Sequence, residues 1–370
     1  MRINERRSLW RRVRPYFTVF DGPLTLIILL LLTVSWVTLY SASIGIPGKM
    51  EDHFRNILLS FVVMWVVANI SPQMMMRIAV PAYTVGMILL VAVALVGTIK
   101  LGARRWLHVG IDIQPSEFMK IVTPMMLAWF FQQRAGQLRW QSYSIAAVLL
   151  MMPVALIVKQ PDLGTSLLVV AAGFSVIFLA GLSWKALGGL LVAFAASLPV
   201  IWSVLHDYQR ERVMTLIDPT SDPLGKGFHI IQSTIAVGSG GLTGKGWTHG
   251  TQAHLEFIPE RTTDFIFAVY SEEFGLVGNL VLMLLFLLLI GRGLMIAGNA
   301  PNFFSRLMAG AMTMIYFAYA FVNMGMVSGI LPVVGVPLPY MSYGGTALLT
   351  LGIAGGILMS IQRHRKLVQT

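Results

Sequence analysis

The segment PERTTD ends at Asp264, directly before a strongly apolar stretch. A carboxylate at a membrane surface can accept a proton from a hydroxyl group, so Asp264 is the candidate general base. An Asp at a helix start also accepts backbone N–H bonds and suits the positive end of the helix dipole. The local sequence leaves both roles open.

A second candidate is the charged pair in the segment QPSEFMK. Glu117 and Lys120 are three residues apart and therefore share one face of a helix, which Pro115 suits at its first position. Ionisable groups inside a membrane span are costly and are functional by default. We predict that the pair takes part in catalysis, and the structural alternative is an ion pair that joins helices.

The remaining candidates are predicted to bind substrate. Asp162, in QPDLGTS, caps a helix or converges with the other two carboxylates. The planar donor fork of Arg matches phosphate, so basic side chains on the same side of the protein as these carboxylates suit a diphosphate head group. Most of them are equally explained as charged residues of solvated loops. The predicted substrate-binding residues are Asp162, Arg104, Arg105, Arg210, Arg212, Lys245 and Arg261.

Other chemistries lack the residues they need. The chain has no Cys, which excludes thiol catalysis, disulfides and Cys-ligated metals, and its His residues show no metal-ligand spacing. The Gly-rich segment 238–246 is not a phosphate loop, because the spacing before Lys245 is wrong and no Ser or Thr follows it. Its glycines are predicted to permit tight turns.

These candidates must be positioned by membrane helices. Of the 370 residues, 56% are hydrophobic, and apolar runs recur at the roughly 20-residue length that crosses a bilayer. This predicts an all-α polytopic membrane protein with ten spans. The predicted spans are Pro23–Ala42, Phe54–Ile70, Ile78–Thr98, Ser116–Gln132, Ser142–Val158, Thr165–Leu182, Ala186–Leu205, Phe265–Gly291, Leu307–Val327 and Tyr343–Ile361.

The charge distribution predicts the orientation. Ten spans put both termini on one side, where Arg and Lys are concentrated, and the positive-inside rule makes that side cytoplasmic. All acidic residues except Glu5 and Asp21 then lie outside. The predicted organisation is a cytoplasmic tail at 1–22, a ten-helix membrane domain at 23–362 and a cytoplasmic tail at 363–370.

Two outer segments are predicted to form the site around these candidates. The long extracytoplasmic loop 206–263, between the seventh and eighth spans, is expected to form an ordered lid. The segment 331–346, rich in Pro and Gly, is expected to be a re-entrant loop beside a cavity, since irregular backbone at membrane depth must pack in protein. The net charge of +11 is assigned to orientation and anionic lipid rather than to nucleic acid.

Taken together, the motifs resemble those of the shape, elongation, division and sporulation (SEDS) family, and most closely its elongation branch. They are QPSEFMK, QPDLGTS, HDYQRERV, DPLGKGFHIIQS, GSGGLTGKGW, PERTTDFIFAVYSEE, GILPVVGVPLP and SYGGT. By this resemblance Asp264 matches the essential aspartate, Glu117 and Lys120 the charged pair, and Asp162 a further cavity carboxylate. Thr262 departs from the pattern, because the family usually has His there.

The resemblance implies an inverting peptidoglycan glycosyltransferase in the bacterial inner membrane, with its active site facing the periplasm. It would join lipid II units into β-1,4 strands during cell elongation and release undecaprenyl diphosphate. The implied partners are penicillin-binding protein 2, a class B transpeptidase, and other membrane proteins of the elongation complex. A divalent cation, Mg²⁺ or Mn²⁺, is compatible with the resemblance, and no nucleotide is needed. Two alternatives stay open: a lipid II flippase or transporter, and a non-enzymatic scaffold.

Overall fold

The computed structural model describes residues 19–100, 103–108, 112–205, 207–221, 226–255, 257–258 and 260–365. The predicted N-terminal tail up to residue 18 and the last five residues of the predicted C-terminal tail lie outside this description. The predicted division of the chain into tails, membrane domain and outer loop stays a prediction.

Within the described residues, ten helices of 17 residues or more each overlap one predicted span. They are α1 (Gly22–Ala42), α2 (Lys49–Ala68), α3 (Pro72–Val96), α4 (Pro115–Gln133), α5 (Trp140–Lys159), α6 (Leu163–Leu179), α7 (Trp184–Val204), α11 (Ile266–Gly298), α12 (Phe303–Val327) and α13 (Gly345–Arg363). The helical fold class predicted from the sequence is confirmed.

Six of these helices, α1, α3, α5, α11, α12 and α13, are long and apolar enough to cross a membrane, and α6 and α7 are shorter apolar helices. The protein is therefore a multi-pass membrane protein, whereas the count of ten spans stays a prediction. Helices α2 and α4 are the two that fall short. Both carry charged residues in their first two turns, and in α4 these are Glu117 and Lys120, the predicted charged pair.

Short polar residues set several helix starts. The Asp21 carboxylate accepts a bond from the Leu24 amide at the start of α1, and the Asn302 side chain accepts one from Ser305 at the start of α12. Such caps satisfy backbone N–H groups that the first turn leaves without partners. Helix α12 is buried along most of its length and packs against α4, α6, α11 and α13, so it forms the centre of the bundle.

The connections between helices also contain structure. Three short antiparallel strands, β1 (Thr98–Lys100), β2 (Ala103–His108) and β3 (Asp112–Ile113), pair in the order β1-β2-β3 between α3 and α4, a small addition to the predicted helical fold. The long loop between α7 and α11 contains α8 (Asp207–Ile217), a 3₁₀ turn, α9 (Lys226–Ser239) and the single turn α10 (Thr251–His254).

Candidate active site

A cavity of about 270 Å³ lies where α4 and α6 begin, beside the C-terminal part of α12. Five of the residues predicted from the sequence line it, although they come from four separate parts of the chain. They are Arg105, Glu117, Lys120, Asp162 and Asp264. The structure therefore brings all three predicted carboxylates to one cavity.

The pair on α4 is held in a fixed arrangement. The Lys120 ammonium, on a side chain only 2% exposed, lies 2.6 Å from Glu117 Oε1 and also donates to the Tyr319 hydroxyl. The second oxygen of Glu117 accepts a bond from Thr350 Oγ1 at 3.0 Å. A buried ion pair persists only where further hydrogen bonds satisfy its remaining donors and acceptors, as they do here. The pair joins α4 to α12 and α13 and also faces the cavity.

Asp162 performs both of its predicted alternatives. Its Oδ1 accepts from the Thr165 amide at 3.2 Å and so caps α6, while Oδ2 accepts from the Gln114 side chain at 3.0 Å. Gln114 directly precedes α4, so this bond connects the starts of two helices beside the cavity. Asp162 is 5% exposed, and each of its carboxylate oxygens accepts one of these two bonds.

Arg105 projects from β2 onto the turn before α6. Its Nε donates to the Gln160 carbonyl at 3.2 Å, and Nη2 donates to the Pro161 carbonyl. A guanidinium carries five N–H groups, so these bonds leave donors that can face the cavity. Neighbouring Arg104 also lies in β2, and its side chain is outside the described part of the structure.

Asp264 lies in a turn that precedes α11. The amides of Thr263 and Phe265 both donate to the Glu260 carbonyl, at 3.0 and 3.3 Å, and close this turn. From the bundle centre, the buried Asn323 side chain donates to the Asp264 carbonyl at 2.8 Å. These bonds fix the backbone on both sides of the carboxylate.

The Asp264 carboxylate itself is free to react. Phe265 holds the cap position of α11, so the helix-capping role considered for Asp264 is not observed. Among the described residues, the carboxylate accepts no hydrogen bond and forms no ion pair. Burial, and secondly the negative charge of Glu260, raise the pKa of Asp264 to about 6. A base whose pKa lies near the working pH is well matched to proton transfer.

The segment 331–344 forms one side of the cavity and is tied to the turn that carries Asp264. The Ser342 hydroxyl donates to the Thr263 carbonyl at 2.6 Å, and the Tyr343 amide donates to the Thr262 carbonyl at 2.8 Å. Gly335, with φ +71°, approaches so closely that an added Cβ would lie 3.4 Å from Asp264 Oδ2. Glycine adopts this left-handed backbone without steric cost.

Thr262, at the position where relatives usually have His, does not line the cavity. Its side chain is 4% exposed, while Thr263 and Asp264 are among the lining residues. A side chain at position 262 therefore lies next to the residues that line the cavity, and not in the cavity itself.

The other predicted substrate-binding residues do not line the cavity. Arg210 donates to the carbonyls of Trp202 and Ser203, and Arg261 donates to the Ala42 carbonyl at 2.9 Å. Lys245 lies 2.6 Å from the carboxylate of the buried Glu272. Arg212 lies on α8, outside the lining residues. Their predicted roles in binding substrate stay predictions.

Sequence reasoning missed several polar residues that complete the site. Tyr319 and Asn323 lie four residues apart on α12 and so share one face, which turns towards the cavity and the Asp264 turn. Two polar side chains at helical spacing inside an apolar helix were a usable signal. Thr350, on α13, carried no comparable signal, because a lone Thr is common in apolar helices.

The described residues contain no group of three or more His, Asp or Glu side chains arranged to hold a metal ion. Glu117 and Asp162 are already engaged by Lys120, Thr350, Gln114 and a backbone amide. The residues present therefore do not by themselves fit a divalent cation, and the predicted cation stays a prediction.

The chain resembles known proteins in both sequence and structure. A family model, FtsW/RodA/SpoVE, described as cell cycle protein, matches residues 23–367. The peptidoglycan glycosyltransferase MrdB of Escherichia coli is 52% identical over 365 residues, covering 98% of this chain and 97% of MrdB.

Two solved structures share the fold. A chain from a structure of a peptidoglycan synthase complex, concerned with coordination of polymerization and crosslinking, matches with TM-score 0.82 and 33% identity, covering 94% of this chain and 99% of that one. The crystal structure of the rod shape determining protein RodA from Thermus thermophilus matches with TM-score 0.70 and 28% identity, covering 94% and 97%.

Proposed function

This chain belongs to the FtsW/RodA/SpoVE family, and from that membership we propose that it is a peptidoglycan glycosyltransferase that joins lipid II units into β-1,4 glycan strands. The observation that carries this proposal is the Asp264 carboxylate, which has no partner among the described residues and a pKa raised to about 6, in a cavity that also contains the Glu117–Lys120 pair.

In the proposed reaction, the acceptor is the C4 hydroxyl of the terminal N-acetylglucosamine of lipid II. Asp264 takes the hydroxyl proton while the oxygen attacks the anomeric carbon of the lipid-linked glycan. The bond from that carbon to the diphosphate oxygen breaks, and its electron pair leaves with undecaprenyl diphosphate. One displacement inverts the α linkage to β. The proton then passes from Asp264 to solvent.

The charge of the leaving diphosphate needs stabilisation. Arg105 lies at the cavity edge with its orientation set by two carbonyls, and a pre-oriented donor stabilises developing charge without reorganising during the reaction. Lys120 is more deeply placed and shares its charge with Glu117, which supports a role in shaping the cavity and orienting the sugar. No step in this scheme passes through a metal ion.

We also propose the orientation and the partner. The positive-inside rule supports cytoplasmic termini and a cavity that opens to the periplasm. The chain's likeness to one from a peptidoglycan synthase complex supports a complex with a crosslinking enzyme, for which penicillin-binding protein 2, a class B transpeptidase, is our candidate. Other membrane proteins of the elongation complex are further candidates.

The test is polymerisation of lipid II by the purified protein without a transpeptidase. The Asp264→Ala variant should make no detectable glycan strand, and Asp207→Asn, which removes a charge from a side chain 96% exposed, should match the unaltered protein. Normal polymerisation by Asp264→Ala would refute the proposed role of Asp264. If the unaltered protein transports lipid II between leaflets but never polymerises it, the flippase alternative replaces the enzyme. A scaffold would do neither.

A further inference from the structure

The Gly-rich loop, defined here as residues 238–250, inserts at a break in α11. Gly275, with φ 62° and ψ −159°, interrupts this helix and divides it into a first half that follows Asp264 and a longer second half. A helix break leaves carbonyls without partners on one side and amides on the other. The Gly-rich loop supplies both kinds of partner.

The backbone bonds across the break are specific. On the first half, the carbonyls of Glu272 and Glu273 accept from the amides of Lys245 and Gly246, each at 3.0 Å. On the second half, the amides of Leu276 and Val277 donate to carbonyls of the same loop, at 2.9 and 3.0 Å. The loop therefore replaces the helical bonds that the break removes.

The glycines allow this close approach. A Cβ on Gly240 would lie 2.1 Å from the Ser271 carbonyl oxygen, and one on Gly244 would lie 2.0 Å from that of Glu273. Both neighbouring atoms belong to backbone, which cannot move aside as a flexible side chain can. This close packing is a structural reason for glycine at these positions.

Glu272 fixes the loop from inside the protein. Its side chain is fully buried, and its Oε1 accepts from the Lys245 ammonium at 2.6 Å, from the Thr251 amide at 2.9 Å and from the Gln252 amide at 3.1 Å. The Thr251 hydroxyl donates to it as well, at 3.0 Å. Lys245 is the one cation that balances this buried charge among the described residues.

The first half of α11 is held rigidly to the second across the break. The Tyr270 hydroxyl donates to the Gly278 carbonyl at 2.8 Å, and the Ser271 hydroxyl donates to the Asn279 side chain at 3.0 Å. Glu273 accepts from Ser41 of α1. About two helical turns of α11 separate Glu272 from the turn that carries Asp264.

We propose that Lys245 and Glu272 are a positioning pair for this reaction: through the Gly-rich loop they fix the first half of α11, and with it the direction of the Asp264 carboxylate into the cavity. This inference rests on the proposed function. It gives Lys245 a role through Glu272 in place of the direct substrate contact predicted from the sequence, and it brings in Glu272, which had no predicted role.

The consequence is a specific kinetic pattern. Lys245→Met leaves a buried carboxylate without its counter-ion, so the protein around it rearranges. A displacement of about 1 Å in a catalytic group costs up to about a hundredfold in rate. Because Lys245 does not line the cavity, Lys245→Met should lower kcat about tenfold or more and leave KM for lipid II unchanged.

The experiment compares two ion pairs on the same helix. Arg292, at the other end of α11, pairs with Asp21 in a similarly buried setting, with side chains 18% and 7% exposed. Lipid II polymerisation and thermal unfolding are measured for Lys245→Met, Arg292→Met and the double variant Lys245→Met/Glu272→Gln. We expect both single variants to unfold at lower temperature, only Lys245→Met to lose kcat, and the double variant to recover much of it because the unbalanced charge is gone.

Four results would overturn the positioning role. A raised KM with normal kcat in Lys245→Met would make Lys245 a substrate ligand. Equal loss of kcat in Lys245→Met and Arg292→Met would indicate general destabilisation of α11. Absence of recovery in the double variant would uncouple the two residues. The Asp264→Ala result is independent of these, so normal kinetics in Lys245→Met beside an inactive Asp264→Ala would remove this inference and leave the proposed function standing.

Discussion

Lowering the pH should slow polymerisation through protonation of Asp264. A general base acts only when ionised, and the pKa of Asp264 is raised to about 6. At pH 7.5 almost all of this carboxylate is ionised, whereas at pH 5 the ionised fraction gives a rate about 11-fold below the plateau. An ordinary Asp, with a pKa of about 3.9, would lose less than about a tenth of the rate over that range.

The perturbation that separates the two causes of the raised pKa is Glu260→Gln. Burial is the larger cause and the negative charge of Glu260 the smaller one, so removal of that charge should lower the pKa of Asp264 by less than about one unit. The midpoint of the acidic limb should move to lower pH, and the plateau rate should change little. Asp207→Asn, with an exposed carboxylate outside the cavity, is the matched control and should leave the midpoint unmoved.

The assay is the initial rate of lipid II polymerisation between pH 5 and 8 at saturating substrate, with unfolding followed at each pH to exclude denaturation. A rate that is flat across this range would refute the assignment of Asp264 as a base with a raised pKa. A midpoint that moves upward in Glu260→Gln would contradict the sign of the interaction between the two carboxylates.

Two further predictions concern stability and the charged pair. Because Asp264 has a higher pKa in the folded protein than in the unfolded chain, its contribution to stability falls as pH rises from about 4 to about 6. Asp264→Asn should therefore stabilise the protein at pH 7.5 by at most about 3 kcal/mol while abolishing polymerisation. Unchanged or lower thermal stability of this variant would contradict the reasoning. Tyr319→Phe removes an acceptor from the buried Lys120 ammonium, so it should lower the free energy of unfolding by about 1–3 kcal/mol and reduce the polymerisation rate. Phe317→Leu, on the exposed side of α12, is the control. A Tyr319→Phe variant as stable as the unaltered protein would show that the hydrogen bond is dispensable.

The sequence predicted the positions of the helices and the main charged candidates for the site, because both depend on local patterns of residues. Burial of contiguous apolar residues in a bilayer is favourable whatever lies elsewhere in the chain, so each predicted span overlaps an observed helix. The same reasoning made Glu117 and Lys120 conspicuous, because charge inside an apolar stretch is costly and needs a reason. Asp264 stood out for its place at the start of such a stretch.

What the tertiary structure decided is which of these groups meet. Glu117 bonds to Thr350, 233 residues away, and Asp162 bonds to Gln114, 48 residues away, and no local pattern encodes such pairings. Basic residues of the predicted outer loops looked equivalent in the sequence, yet Arg105 lines the cavity while Lys245 pairs with Glu272. A charged side chain pairs with whichever group the fold brings within hydrogen-bonding distance. Such pairing is strong in a low-dielectric interior, so the partner is set by the tertiary structure and not by the residue type.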